Sequence, residues 1–190
     1  MRKLVLFMHI SVDGFVARTN GEMDWITVNK EIFDYAAQRT NEADTALYGR
    51  VTFEMMDDYW PTAAQKPNAS QHDIEHSIWY NSVSKIVLSK TWQNKTIPNA
   101  IIISQNLLES ILSLKQKSGN EIIMFGSPGA AQSLMELNLI DEFWLFVNPI
   151  ILGTGIPLFR NSNHITSLKL KKSIAFSSGV VCLHYEKLLN

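Results

Sequence analysis

Three short segments combine small residues with hydroxyl or charged ones in an order suited to holding an anion. In Gly49-Arg50-Val51-Thr52-Phe53-Glu54, Gly49 permits a tight turn and Arg50 offers a planar charged fork. The Thr52 hydroxyl, with backbone N–H groups at a helix start, can hold a phosphate. In Gly126-Ser127-Pro128-Gly129-Ala130-Ala131, small residues let a ligand approach the backbone at a second helix start, where N–H groups favour a pyrophosphate. This segment is neither G-x-G-x-x-G nor a P-loop. The third segment runs from Ser11 through Asp13-Gly14 to Ala17 and continues as Gly21-Glu22-Met23-Asp24-Trp25-Ile26-Thr27. Each also has a plainer reading: a turn and a cap, a Ser-capped helix started by Pro, and an Asp-Gly turn beside a core aromatic. Spacing alone leaves both readings open.

Other reactive side chains point to less. His72 and His76 stand at i and i+4, able to share a metal, but the pattern is not H-E-x-x-H and no third ligand lies nearby. They are read as a solvated helix start, and no metal site is assigned. His9, inside an apolar strand, is expected to be a satisfied core histidine, and Cys182, between Val181 and Leu183, a packing residue. Ser127 lacks the G-x-S-x-G elbow of a nucleophile.

The elements that must position these segments follow from hydrophobic periodicity. Lys3 to Ile10 reads as a buried strand, Val28 to Ala43 as a helix and Asp44 to Tyr48 as a second strand. Arg50–Tyr59, Asp73–Val83 and Leu107–Lys117 have helical patterns; Lys85–Ser89, Ala100–Ser104 and Glu121–Phe125 are apolar runs of strand length. Pro61 to Gln71 reads as a loop. Alternation of strand and helix through residue 138 implies right-handed crossovers and a mainly parallel sheet covered on both faces. Beyond it, Glu142–Leu152, Thr166–Phe176 and Val180–Leu188 have no helix between them and should add antiparallel strands. The expectation is one domain over 1–190, a three-layer α/β/α fold whose ligands bind beyond the carboxyl ends of the strands.

With 190 residues, 46% of them hydrophobic and 18% charged, the chain is neither disordered nor fibrous. A formal charge of −1 lacks the basic excess that would favour nucleic acid. No apolar run is long enough to span a bilayer, one cysteine cannot form an internal disulfide, and no signal peptide is evident, so a cytoplasmic protein without a membrane partner is expected.

In order, Ser-Val-Asp-Gly-Phe-Val-Ala, Glu-Met-Asp-Trp-Ile-Thr, Gly-Arg-Val-Thr-Phe-Glu, Phe-Gly-Ser and the long block Leu139 to Phe159 resemble the dihydrofolate reductase superfamily. Within it the chain is most similar to the group of the riboflavin-biosynthesis reductase domain. The resemblance spans almost the whole chain and implies an NADPH-dependent reductase, commonly a homodimer, acting on a small-molecule substrate. It implies that Trp25, Gly49, Arg50, Thr52 and the Gly126, Ser127, Pro128, Gly129, Ala130 loop contact the coenzyme, with Arg50 selecting the 2′-phosphate. It places Met23, Arg39 and Met124 at the substrate, Arg39 matching an arginine that holds a ribose phosphate.

The chain also departs from the pattern. Met124 stands where the riboflavin enzyme has a substrate-binding glutamate, and a thioether is a weak acceptor for a pyrimidine N–H. Where folate reductases carry a pterin-binding carboxylate, this chain has Lys30, with Glu31 next to it. No zinc elements of a preceding deaminase are present. The expected reaction is hydride transfer from NADPH to a C=N or C=O bond, as in 5-amino-6-(5-phosphoribosylamino)uracil reduction. Dihydrofolate or pterin reduction, and a non-catalytic nucleotide-binding module of the same fold, are the alternatives. Asp13 and Glu31 are candidate proton donors by position, with bound water an equal contender.

Overall fold

The computed structural model describes residues 1–93, 95–160 and 165–188. In chain order the elements are β1 (Leu4–Ser11), β2 (Phe15–Ala17), α1 (Lys30–Thr40), β3 (Ala43–Gly49), α2 (Arg50–Tyr59), α3 (Gln71–Ser82), β4 (Ser84–Leu88), β5 (Ala100–Ile103), α4 (Leu107–Gln116), β6 (Glu121–Phe125), α5 (Pro128–Glu136), β7 (Glu142–Asn148), β8 (Ile156–Pro157), β9 (Leu168–Ala175) and β10 (Val181–Lys187). Eight strands form one sheet in the order β5-β4-β3-β6-β1-β7-β10-β9. From β5 to β7 all neighbours run parallel, and β10 is antiparallel to both β7 and β9.

Strand alternation sorts the apolar residues into two cores. Leu4, Leu6, Met8 and Ile10 of β1 join Ile122 and Met124 of β6 against Ile111 and Leu114 of α4 and Ala131 and Leu134 of α5. Val5 and Phe7 join Ile123, Phe125 and Phe146 on the other face, against Ile32 of α1, Phe53 of α2 and Trp79 and Tyr80 of α3. The result is the expected three-layer fold, a largely parallel sheet with an antiparallel C-terminal side. No described helix is long and apolar enough to cross a membrane.

Several boundaries differ from the sequence reading for local reasons. Helix α1 starts at Lys30 rather than Val28 because Asn29 caps it, its side chain accepting from the Ile32 N–H at 3.0 Å. β7 stops at Asn148 rather than Leu152, since Pro149 has no N–H for the ladder. The expected loop after Pro61 contains a 3₁₀ turn spanning Trp60–Gln65, with Pro61 in its first turn. The β2–β8 pair, too short to read in the sequence, forms a small second sheet. Gly155 allows this approach, because a Cβ there would lie 2.4 Å from the Ala17 carbonyl oxygen.

Met124 is fully buried in the α4/α5 core. The substrate contact expected of it is therefore corrected: neighbouring strand residues face opposite sides, and the adjacent Phe125 lies on the other face of the sheet. Met124→Ala is expected to lower unfolding stability by about 2–5 kcal/mol in urea titrations, as a cavity-forming truncation, while leaving coenzyme affinity unchanged.

Candidate functional site

A cleft of about 900 Å³ lies over the carboxyl ends of β1, β3, β4 and β6. Its wall brings together Met23, Gly49, Arg50, Thr52 and the whole run Gly126 to Ala130. The two loops behind β3 and β6 are joined by a hydrogen bond from the Gly49 N–H to Ser127 Oγ, 2.7 Å long. They fit closely: a Cβ on Gly49 would meet the Ser127 Cβ and Oγ at 3.2 Å, and one on Gly126 would meet Thr52 Cγ2 at 3.3 Å. Gly126 and Ser127 both take the left-handed conformation, φ 54° and 61°. That conformation is unfavourable for serine, and its bond to Gly49 helps to hold it there.

The helix ends sort by position. α1 and α3, whose starts lie outside the cleft wall, are capped by Asn29 and Ser70, and each has an acid in its first turn, Glu31 and Asp73. α2, α4 and α5 begin at the cleft wall, at Gly49, Asn106 and Ser127, and none of the three has a side-chain cap. α2 and α5 also have no acid in the first turn. Uncapped helix starts present N–H donors and the positive end of the helix dipole to whatever occupies the cleft. Among the described residues lining it, the ionisable side chains are His9, Arg50 and Lys90, and none is a carboxylate. This donor set fits a polyphosphate.

β1 supplies a different feature. Lys3 accepts from Ile122 on the β6 side, whereas Leu4 accepts from Asp141 on the β7 side. Peptide groups alternate between neighbours along a parallel strand, so those of Val5, Phe7 and His9 face β6. β6 ends at Phe125, opposite Phe7. The N–H and C=O of His9 therefore face the cleft instead of a strand, while β1 stays paired to β7 as far as Ser11.

The family model of the RibD C-terminal domain matches residues 2–182. The chain belongs to this family. The Bacillus subtilis (strain 168) protein YyaP is 34% identical over 188 residues, covering 97% of this chain and 94% of its own length. A Thermotoga maritima diaminohydroxyphosphoribosylaminopyrimidine deaminase/5-amino-6-(5-phosphoribosylamino)uracil reductase superposes with a TM-score of 0.70 at 14% identity, over 98% of this chain and 57% of that one. Dihydrofolate reductase from Enterococcus faecalis, complexed with NADP(H), superposes with a TM-score of 0.64 at 14% identity, over 97% and 96% of the two chains. At these identities the structural likenesses establish the fold.

This RibD C-terminal domain places the remaining candidates elsewhere. Trp25 is buried, 8% exposed, and is absent from the cleft wall; its neighbours Met23 and Ile26 line the wall instead. Arg39, in the last turn of α1, lies at the opposite rim, paired with Glu121 at the start of β6 and stacked over Trp144 at 5.0 Å. That placement is incompatible with anchoring a ligand in this cleft. Asp13 accepts from the Ser11 hydroxyl and from the N–H groups of Leu152 and Gly153, fastening the loop after β7. The Ser11 bond first, then those of Gly153 and Leu152, hold its carboxyl below the usual range. Glu31, bound by the Ser177 N–H and hydroxyl, is likewise lowered. Carboxylates kept ionised in this way, and absent from the wall, are unsuited to donating a proton at neutral pH. Sequence reasoning missed Ser89 and Lys90, which follow β4 as Arg50 follows Gly49, and it missed His9.

His72 and His76 are not a solvated helix start. His72 stacks on Phe33 at 4.0 Å, and His76 lies against Trp60 at 4.1 Å and beside Trp79. Burial pushes His76 down to about 3 and His9 down to about 4, from an ordinary 6.5.

Two outcomes follow. Ser127→Ala leaves the Gly49 N–H unpaired and is expected to cost about 1–3 kcal/mol of stability in urea unfolding. The buried histidines bind protons in the unfolded chain near pH 6.5 but in the native one only near 4 and 3. Stability is therefore expected to be full above pH 6.5 and to fall as pH drops toward about 4, read as a lower urea midpoint at pH 5 than at pH 7.

Proposed function

We propose that this RibD C-terminal domain is an NADPH-dependent reductase that reduces a C=N or C=O bond of a small heterocyclic or phosphoribosyl substrate, such as 5-amino-6-(5-phosphoribosylamino)uracil. The observation that carries the reading is the convergence of three uncapped helix starts and two cations, Lys90 and the Glu54-paired Arg50, on a cleft whose lining residues include no carboxylate. Phosphates are held by such N–H groups, and a guanidinium can grip a phosphate in two places. The α2 and α5 starts would hold the pyrophosphate, with Arg50 and Lys90 positioned for the extra phosphate of NADPH.

The outward-facing peptide of His9 offers one donor and one acceptor, the complement of a carboxamide. The apolar wall of Phe7, Val16, Met23, Met56 and Phe125 excludes water from the reacting end. When bound, NADPH supplies the hydride. The protein orients the coenzyme and substrate, and solvent supplies the proton, because the wall contains no acid to do so. The same absence means that the N–H groups of a pterin or a pyrimidine ring meet no carboxylate in this wall, so recognition rests on the reducible C=N or C=O group.

Quenching of the five tryptophans by NADPH measures binding directly. Arg50→Ala is expected to raise the NADPH Kd about tenfold or more, the scale of one charge-assisted hydrogen bond, and to change NADH affinity much less. No binding at millimolar NADPH would remove the reading. Binding without NADPH oxidation on adding the uracil compound would favour the non-catalytic module.

A further inference from the structure

His9 carries a second feature, in its side chain. Its imidazole stacks on Phe146 at 4.9 Å, on the α1–α3 side of the sheet, and the residue lines the cleft. Asn148 is fully buried and has only one possible amide orientation. Its Oδ1 accepts from the Thr27 N–H at 2.8 Å, so its Nδ2 faces the carbonyls of Ile10 and Phe146 and the Nδ1 of His9, at 3.3, 3.0 and 3.3 Å.

An amide nitrogen can only donate, and its two hydrogens are shared among these three acceptors, so a bare Nδ1 with the ring proton on Nε2 is the arrangement that fits the contact. Nε2 has no hydrogen-bond partner among the described residues and is not among their buried unpaired atoms. Burial alone disfavours the charged ring, with no neighbouring charge contributing. His9 is thus a cleft-lining residue whose neutral ring keeps Nε2 without a partner among the described residues, in a wall that has no carboxylate.

We propose that His9 Nε2–H is the specificity-determining donor that reads an acceptor atom on the substrate's reducible C=O or C=N group, and that Asn148 is the positioning residue that fixes its tautomer. This rests on the reductase reading above and deepens it. The substrate class is one presenting a carbonyl oxygen or imine nitrogen to the protein, rather than an amidine-like face of N–H donors. His9 keeps its proton throughout. The substrate carbon gains hydride from NADPH, which is oxidised, and the adjacent oxygen or nitrogen takes its proton from water.

The test uses the full chain, labelled with ¹⁵N-histidine, together with His9→Phe, which keeps an aromatic ring without a donor, and His9→Gln, which restores an N–H donor. At pH 7 the wild-type His9 signals should show the proton on Nε2 and a bare Nδ1. The Nε2 signal should move when 5-amino-6-(5-phosphoribosylamino)uracil is added to the NADP⁺ complex. His9→Phe should lower kcat/KM for that compound about tenfold to a hundredfold, and His9→Gln should stay within about threefold of wild type. Both variants should bind NADPH within about threefold of wild type. A proton on Nδ1, an Nε2 signal unmoved at saturating uracil compound, or a His9→Phe variant as active as wild type overturns the proposal while leaving the coenzyme reading in place. A wild-type protein that binds no NADPH overturns the reading itself.

Discussion

The hydrogen bond from the Gly49 N–H to Ser127 Oγ is the constraint around which the cleft is organised. Residues 49 and 127 are far apart in sequence but end neighbouring parallel strands, β3 and β6. Tying the two turns together brings the starts of α2 and α5 side by side. Ser127 is the N-cap of α5, and its hydroxyl makes this bridge instead of capping its own helix. One hydroxyl thus joins two loops and leaves a helix end open, which suits a ligand that satisfies the remaining N–H groups.

Charge is divided between the ends of the sheet in a complementary way. At the amino-terminal rim, Arg2 pairs with Asp44, Arg39 with Glu121, Lys115 with Asp141 and Lys3 with Glu142. These pairs neutralise one another where the strands begin, and two of them, Arg39–Glu121 and Lys115–Asp141, tie a helix to the sheet's edge of strand starts. At the carboxyl-terminal rim the lining residues include Lys90, Arg50 and three helix starts but no carboxylate, although Arg50 also pairs with Glu54 one turn further along α2. A chain with a formal charge of −1 can therefore present a local anion-seeking surface without any overall basic excess.

The layer order, the parallel core and the antiparallel end were legible in the sequence because they follow from apolar periodicity and from the change of pattern after Leu139. That the loops after β3 and β6 would line a cleft was legible too, because clefts of open α/β sheets lie at strand ends. Consistent application of that rule would also have found Ser89 and Lys90 after β4. The errors have geometric causes. Arg39 is ten residues beyond Asn29, and at about 1.5 Å per helical residue α1 carries it to the opposite rim. Met124 was assigned without regard to the side of the pleat. Asp13 and Glu31 were named by position alone, whereas long-range backbone contacts to residues 152, 153 and 177 occupy both. Such contacts between distant segments have no signature in a single sequence.

The parting of β1 from β6 beyond Phe7 separates two kinds of recognition at a single residue. The backbone N–H and C=O at position 9 are common to every residue except proline, while the His9 side chain is set apart from them, stacked on Phe146 and facing Asn148. A substitution at position 9 would therefore change what the side chain offers at the cleft without changing the main-chain groups that face it.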